Sequence, residues 1–361
     1  FLYQASASAT SVSSPTLVTI MVTDDTTAFA APSFSPGGNI TVFENSGQYS
    51  NAWASSIEAG SPVPANPDLS FQIEVDDPSL FAALPTIDAT GTLTFLPAEN
   101  VYGQATITVR LSDGGGSSGG RIGTSDPFTF TIELLPVNQA PNYNAGGDVI
   151  VVENSGQQRI EGWASSIAAG PSNESSQAVV FEVSVDRPDL FTVLPTLSPD
   201  GTLSFTASEN SNGMATISVV ARDNGGTENG GVDATEARTF TVTILPLNQA
   251  PSFAIGPNLE ADLVADPQVF EGWVRSVSPG PADESEQSVT FDVTADRPEL
   301  FDVQPTVDAS GALRFALKQG ALPGQVALTV TARDSGDTAN GGSNTSAPQT
   351  ALLTLISSEP P

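Results

Sequence analysis

The sequence predicts an all-β fold: a tandem array of three β-sandwich domains preceded by an extra N-terminal strand. Three observations predict it. First, landmark residues recur every 110 positions: Trp53, Trp163 and Trp273; Phe81, Phe191 and Phe301; Pro85, Pro195 and Pro305; Gly91, Gly201 and Gly311. A solenoid coil repeats every 20 to 50 residues, roughly, whereas this period suits one small autonomous domain. Second, short stretches alternate apolar and polar residues between Gly, Pro, Asn and Asp. Third, no segment shows sustained helical periodicity with caps.

The elements follow in chain order. Within residues 1–30, Thr16–Val22 reads as a strand like the last strand of a repeat, Thr239–Ile244, yet no domain precedes it. A lone apolar strand needs a partner to be ordered. Two accounts stand: the tail of an upstream repeat, or a strand donated to a neighbouring subunit through Leu17, Val18, Ile20 and Val22. The first strand of the third repeat, Leu259–Asp266, carries three acids and is a weak seat where such a strand could lie. Residues 1–25 lack the basic start and apolar run of a signal peptide. The chain opens on Phe1, not Met, so it is expected to be processed or a fragment.

The repeats are expected over 31–139, 140–249 and 250–361. In the second, strands are predicted at Val149–Glu153, Ala178–Val185, Thr202–Ala207, Ala215–Arg222 and Thr239–Leu245. Phe181, Val183 and Val185 point one way and Glu182, Ser184 and Asp186 the other, the pattern of a half-buried strand. A further strand is placed around Gly162-Trp163-Ala164, its Trp plugging the core between two sheets. Proline closes both ends of the linkers Pro136–Pro141 and Pro246–Pro251, which stiffens them; stiff joints between alike domains predict a rod.

Composition excludes several function classes. The chain has no Cys and no His. Thiol nucleophiles, disulfides, His bases and the usual zinc ligands are therefore absent. A formal charge of −30, from 41 acidic and 11 basic residues, repels nucleic acid and anionic membrane surfaces. No run reaches the ~18 apolar residues of a membrane-spanning helix. The acids recur at loop positions as scaffold features do, no phosphate-binding glycine loop opens a helix, and no His is present to activate a serine. The sequence is read as a non-enzyme.

Smaller signals remain. Asn39, Asn173 and Asn344 fit the N-glycosylation pattern. Lys318, the single lysine, is expected in an exposed turn, so at most one repeat could hold a Lys–Asn isopeptide staple. Tyr49, Tyr102 and Tyr143 are read as exposed aromatics able to serve a carbohydrate or protein ligand.

The linkers Val137–Pro141 and Leu247–Pro251 resemble the "VNDAP" joints of tandem cadherin-like and Ig-like repeats in large bacterial surface proteins. Gly162–Ile167, Gly201–Phe205, Ala221–Gly226 and Thr239–Ile244 fit the same repeat type, over roughly residues 31–361. The resemblance implies Ig-like or cadherin-like β-sandwiches of about seven strands. It also implies an extracellular, adhesive or scaffolding role without catalytic residues. One departure is that Gln139 and Gln249 replace the linker acid.

The resemblance further implies calcium at the joints. The lower-end candidates are Glu44, Asp76, Glu99 and linker Asn138 for the first repeat, and Glu153, Asp186, Glu209 and linker Asn248 for the second. Asp113, Asp223 and Asp334 lie at upper ends. In the third repeat Leu263 takes the place of Glu153, and Lys318-Gln319 the neighbourhood of Glu209, as expected of a C-terminal end with no joint to serve. Solvated loop carboxylates are the alternative to calcium. The loop Asp223–Asp233 is read as a flexible hairpin loop and not as a metal cage. Two functions stand: a structural subunit of an extracellular filament that polymerises with its own copies through the N-terminal strand, or the stalk of a repetitive adhesin.

Overall fold

The computed structural model describes residues 2–3, 16–17, 29–64, 66–116 and 120–357. The chain divides into two compact units, 1–137 with 227–230, and 138–226 with 231–361. The first contains one β-sandwich and the second contains two. Among the described residues the helical turns are short 3-10 segments.

Each sandwich repeats one plan. In the second repeat the larger sheet runs Val149–Val152, Arg238–Leu245, Gly213–Arg222 and Val180–Val185, in that order. Its first two strands are parallel, with Val149 opposite Val242; the others are antiparallel. The facing sheet runs Gln157–Ile160, Leu203–Ala207 and Phe191–Leu197. A short pair, Asn142–Asn144 with Ser165–Ala168, closes one side. The first repeat builds the same sheets from Ile40–Phe43, Phe128–Leu135, Gly103–Ser112 and Ser70–Val75, and from Tyr49–Ala52, Thr92–Pro97 and Phe81–Ile87. The third uses Leu259–Asp262, Gln349–Ile356, Gly324–Asp334 and Val289–Ala295, with Gln268–Phe270, Leu313–Leu317 and Phe301–Val307.

Alternation buries one face of each strand. Ala215, Ile217, Val219 and Ala221 meet Phe205, Phe240, Val242 and Ile244 in the second core. Trp163 plugs that core as expected: its ring lies 4.3 Å from that of Phe240 and its indole N–H donates to Gly147 O at 3.1 Å. Burial of so large a ring dominates a small core, and the donated bond removes the cost of hiding its polar end.

Three expectations are corrected. No strand covers Gly162–Ala164; Gly162 holds a φ of 67°, and the strand starts at Ser165. The place beside the last strand of repeat 3 is taken by its own Leu259–Asp262, parallel to Leu353–Ile356, so its acids point outward and leave no vacant seat there. Tyr143 is only 2% exposed. It packs edge-on to Phe181 under the Arg238 guanidinium, 4.8 Å away; the same site holds Phe34 and Phe253 in the other repeats. Tyr49 is half-buried, stacked on Phe95 at 4.8 Å, while Tyr102 is exposed. Of the N-terminal segment, Thr16–Leu17 pairs antiparallel with Leu2–Tyr3; Val18, Ile20 and Val22 lie outside the described residues.

Candidate metal centre

Within the second unit, the linker 246–251 runs between the lower end of repeat 2 and the upper end of repeat 3. Leu247 N–H donates to Glu153 Oε1 at 2.8 Å. Gln249 N–H donates to Glu284 Oε1 at 2.7 Å. Between them Asn248 Nδ2 donates to Asp334 Oδ1 at 3.1 Å and to Ser343 O at 2.9 Å, and Asn248 Oδ1 accepts from Gln287 Nε2 at 2.8 Å. Leu247, Asn248 and Gln249 thus each spend a polar group on one sandwich or the other, and the backbone is held without regular secondary structure.

The same contacts turn a set of oxygens toward one niche. Glu153, Asp283 and Glu284 each present a carboxylate oxygen within 4.8 Å of one another. Glu153 and Glu284 are buried, at 1% and 6% exposure, and Asp334 at 5%. Glu284 Oε2, Asp334 Oδ2 and Gln287 Oε1 have no hydrogen-bond partner among the described residues. A cavity of about 470 Å³ lies here, lined by Glu153, Asn212, Asn248, Asp283, Glu284 and Gln287 among others. Burial, first, and then the charges of Asp283, Asp334 and Glu153 push the Glu284 carboxyl above its ordinary range, against the bond from Gln249. Buried like charges with orphaned oxygens are costly unless something positive joins them.

The donor set fits a hard cation: carboxylate and amide oxygens, with no nitrogen or sulfur ligand. Calcium takes six to eight such oxygens, about 2.3–2.6 Å away. Glu153, Asp283 and Glu284 are the residues that would hold it, with Gln287 lining the same cavity.

Glu153, Asn248 and Asp334, all expected from the sequence, come together here. Asp186 does not: its Oδ1 is committed to Thr216 N–H at 2.7 Å, as Asp76 is to Thr106 N–H at 2.7 Å, and both close the end of a strand pair. Glu209 is exposed and lines a different cavity with Asn154, Asn210 and Gln249; Glu99 is exposed too. In the first unit Glu44 is buried and its Oε1 accepts from Val137 N–H at 2.7 Å.

Asp283, Glu284 and Gln287 escaped sequence reasoning, which looked for upper-end acids only in the long loop before the last strand. The signal was present. Glu174 and Glu284 stand 110 apart, and Gln139 N–H meets Glu174 as Gln249 N–H meets Glu284.

The upper end of repeat 2 has the same build. Asn138 Nδ2 donates to Asp223 Oδ1 and Val232 O, each at 2.8 Å, and Asp223 Oδ2 and Gln177 Oε1 have no hydrogen-bond partner among the described residues. The loop Asp223–Asp233 thus supplies an oriented carboxylate to its linker.

The linker glutamine has its own role. Gln249 Nε2 donates to Asn210 Oδ1 at 2.7 Å. Asn210 N–H in turn donates to Asn154 Oδ1 at 2.9 Å, and Asn154 Nδ2 to Asn210 Oδ1 at 3.0 Å. Where the resembling repeats carry an acid, this chain carries a neutral clip to the preceding sandwich.

No family model matches the chain, and no curated protein matches it. Among solved structures it is similar to mouse cadherin-23 EC22-24, at 14% identity and a TM-score of 0.38, covering 91% of this chain and 99% of that one. Mouse protocadherin-24 EC1-3 is 16% identical with a TM-score of 0.36, covering 80% and 90%. Immunoglobulin domains 1-4 of Sidekick-1 are 14% identical with a TM-score of 0.30, covering 91% and 76%. At these values the likeness adds nothing to the sheet topology described above.

Proposed function

We propose that the chain is a structural component of an extracellular assembly, with its second and third repeats held in register by a linker, 246–251, that takes up a divalent cation. The observation that carries this reading is the linker 246–251. Its backbone is fixed from both sandwiches, and it gathers buried carboxylates with orphaned oxygens into one niche. The finer reading is a filament subunit at a bacterial cell surface. Its partners are copies of itself, and Thr16–Val22 is the segment offered to a neighbour.

Two experiments test it. In the filament reading, purified chain forms long particles of fixed repeat in negative-stain micrographs, and deletion of residues 1–25 shortens or abolishes them. Monomers alone at high concentration would favour the second reading, an adhesin stalk. For the cation, calcium raises the melting temperature and a chelator reverses the gain, because a ligand bound only by the folded state stabilises it by mass action. A melting curve indifferent to both removes the cation from the proposal.

A further inference from the structure

Two end faces of the repeats lack the cation niche, and each lacks the opposite half of it. On the upper face of repeat 1, Asp113 stands where Asp223 and Asp334 stand, with the same bond from a glycine N–H two residues on. Its second oxygen, orphaned in the other two repeats, is here bonded by Gly60 N–H and by the Arg121 guanidinium. Arg121 itself is held by Pro62 O and Gly116 O. The arginine supplies internally the positive charge that the other repeats lack. Val63-Pro64 replaces Asn173-Glu174 and Asp283-Glu284. Beside it Phe29 and Ile122 are exposed, at 46% and 48%, and Val63 at 65%.

On the lower face of repeat 3, Leu263 occupies the backbone position of Glu44 and Glu153. All three donate N–H to the residue that ends the last strand. Val264 replaces Asn154, and Ala321-Leu322-Pro323 replaces Ser211-Asn212. Leu322, Ile356 and Val264 are exposed, at 69%, 39% and 38%. Gln319 stands for Glu209, and the exposed Lys318 precedes it.

We infer that the lower face of repeat 3 docks on the upper face of repeat 1 of a second copy, through an apolar contact that needs no cation. This rests on the filament reading and gives it a contact. Complementarity selects the occupant. Leu263 set against the upper face of repeat 2 or 3 would bury orphaned carboxylates with neither Glu153 nor room for an ion's full ligand set. Against the upper face of repeat 1 it meets an acid already neutralised, and Val63, Ile122 and Phe29 cover Val264, Leu322 and Ile356. Charge agrees: Lys318, the chain's single lysine, would approach a face that carries the exposed Asp68.

The test uses the full chain with Val63→Asp or Val264→Asp, both at exposed positions, with melting temperature as the check on folding. Sedimentation velocity in chelator should show wild-type mass rising with concentration and each variant remaining monomeric. An equimolar mixture of the two variants retains one intact face of each kind, so it should form dimers and stop there. Variants that assemble like wild type, a mixture that stays monomeric, or assembly that requires calcium would each overturn the contact. If assembly survives both substitutions but is lost on deleting residues 1–25, the face contact fails while the filament reading stands. Wild type monomeric with and without calcium sinks both.

Discussion

Gly91, Gly201 and Gly311 hold φ values of 86°, 85° and 82°. A Cβ there would meet the carbonyl oxygen of Ala54, Ala164 or Val274 at 2.0, 2.0 or 2.2 Å. Two penalties coincide, left-handed backbone and collision with main chain, so Gly201→Ala should destabilise by about 2 kcal/mol or more, read as an earlier urea transition. Removing the Trp163 side chain (Trp163→Ala) should cost about 3–5 kcal/mol, as large-to-small changes in a packed core do. These residues were legible in the sequence because sterics allow no substitute and they recur in register. Glu284 was less legible, since its importance depends on a neighbour, Glu153, 131 positions earlier (284 − 153). Glu284→Gln keeps the shape and the bond from Gln249 while removing a buried charge. Its melting temperature in chelator should equal or exceed wild type, and calcium should then raise it far less.

At the scale of elements, alternation revealed the strands of the larger sheet, each buried on one face. Phe191–Leu197 stayed hidden for a physical reason. It is an edge strand, with two register shifts against Leu203–Ala207, an internal Pro195, and Thr192, Val193 and Leu194 all exposed. Proline is tolerated there because the edge N–H has no ladder partner to lose. The turn that follows the corresponding strand of repeat 3 is fastened by Asp308, which accepts from Ser310 Oγ at 2.6 Å and from Arg314 Nε at 2.8 Å. The Ser310 hydroxyl first, and then Arg314, hold its carboxyl far below the ordinary 3.8. The stability it contributes is present above that unfolded value and is lost as pH falls through the lower folded one. Asp308→Asn should therefore lower stability most at neutral pH and least in strong acid, which flattens the acid limb of the curve of stability against pH. The linker clip predicts a separate outcome: Gln249→Ala leaves both flanking sandwiches folded but speeds amide hydrogen exchange in residues 247–250, with or without calcium.

For the molecule as a whole, the charge of −30 gives two effects that must be told apart. Any salt screens the mutual repulsion of surface carboxylates, whereas the niche at the linker 246–251 asks for a divalent ion with oxygen ligands. At constant ionic strength, calcium should raise the melting temperature where sodium does not; at a hundredfold excess over Kd, one such site contributes about 2.7 kcal/mol.

In every repeat the strand that enters the larger sheet lies parallel to the strand that leaves it, over four residue pairs: Ile40–Phe43 on Ile132–Leu135, Val149–Val152 on Val242–Leu245, Leu259–Asp262 on Leu353–Ile356. Tension drawn through a repeat pulls one of these strands by its start and the other by its finish. The pair is then sheared along its length, so its hydrogen bonds share the load and yield together instead of opening one after another like a zipper.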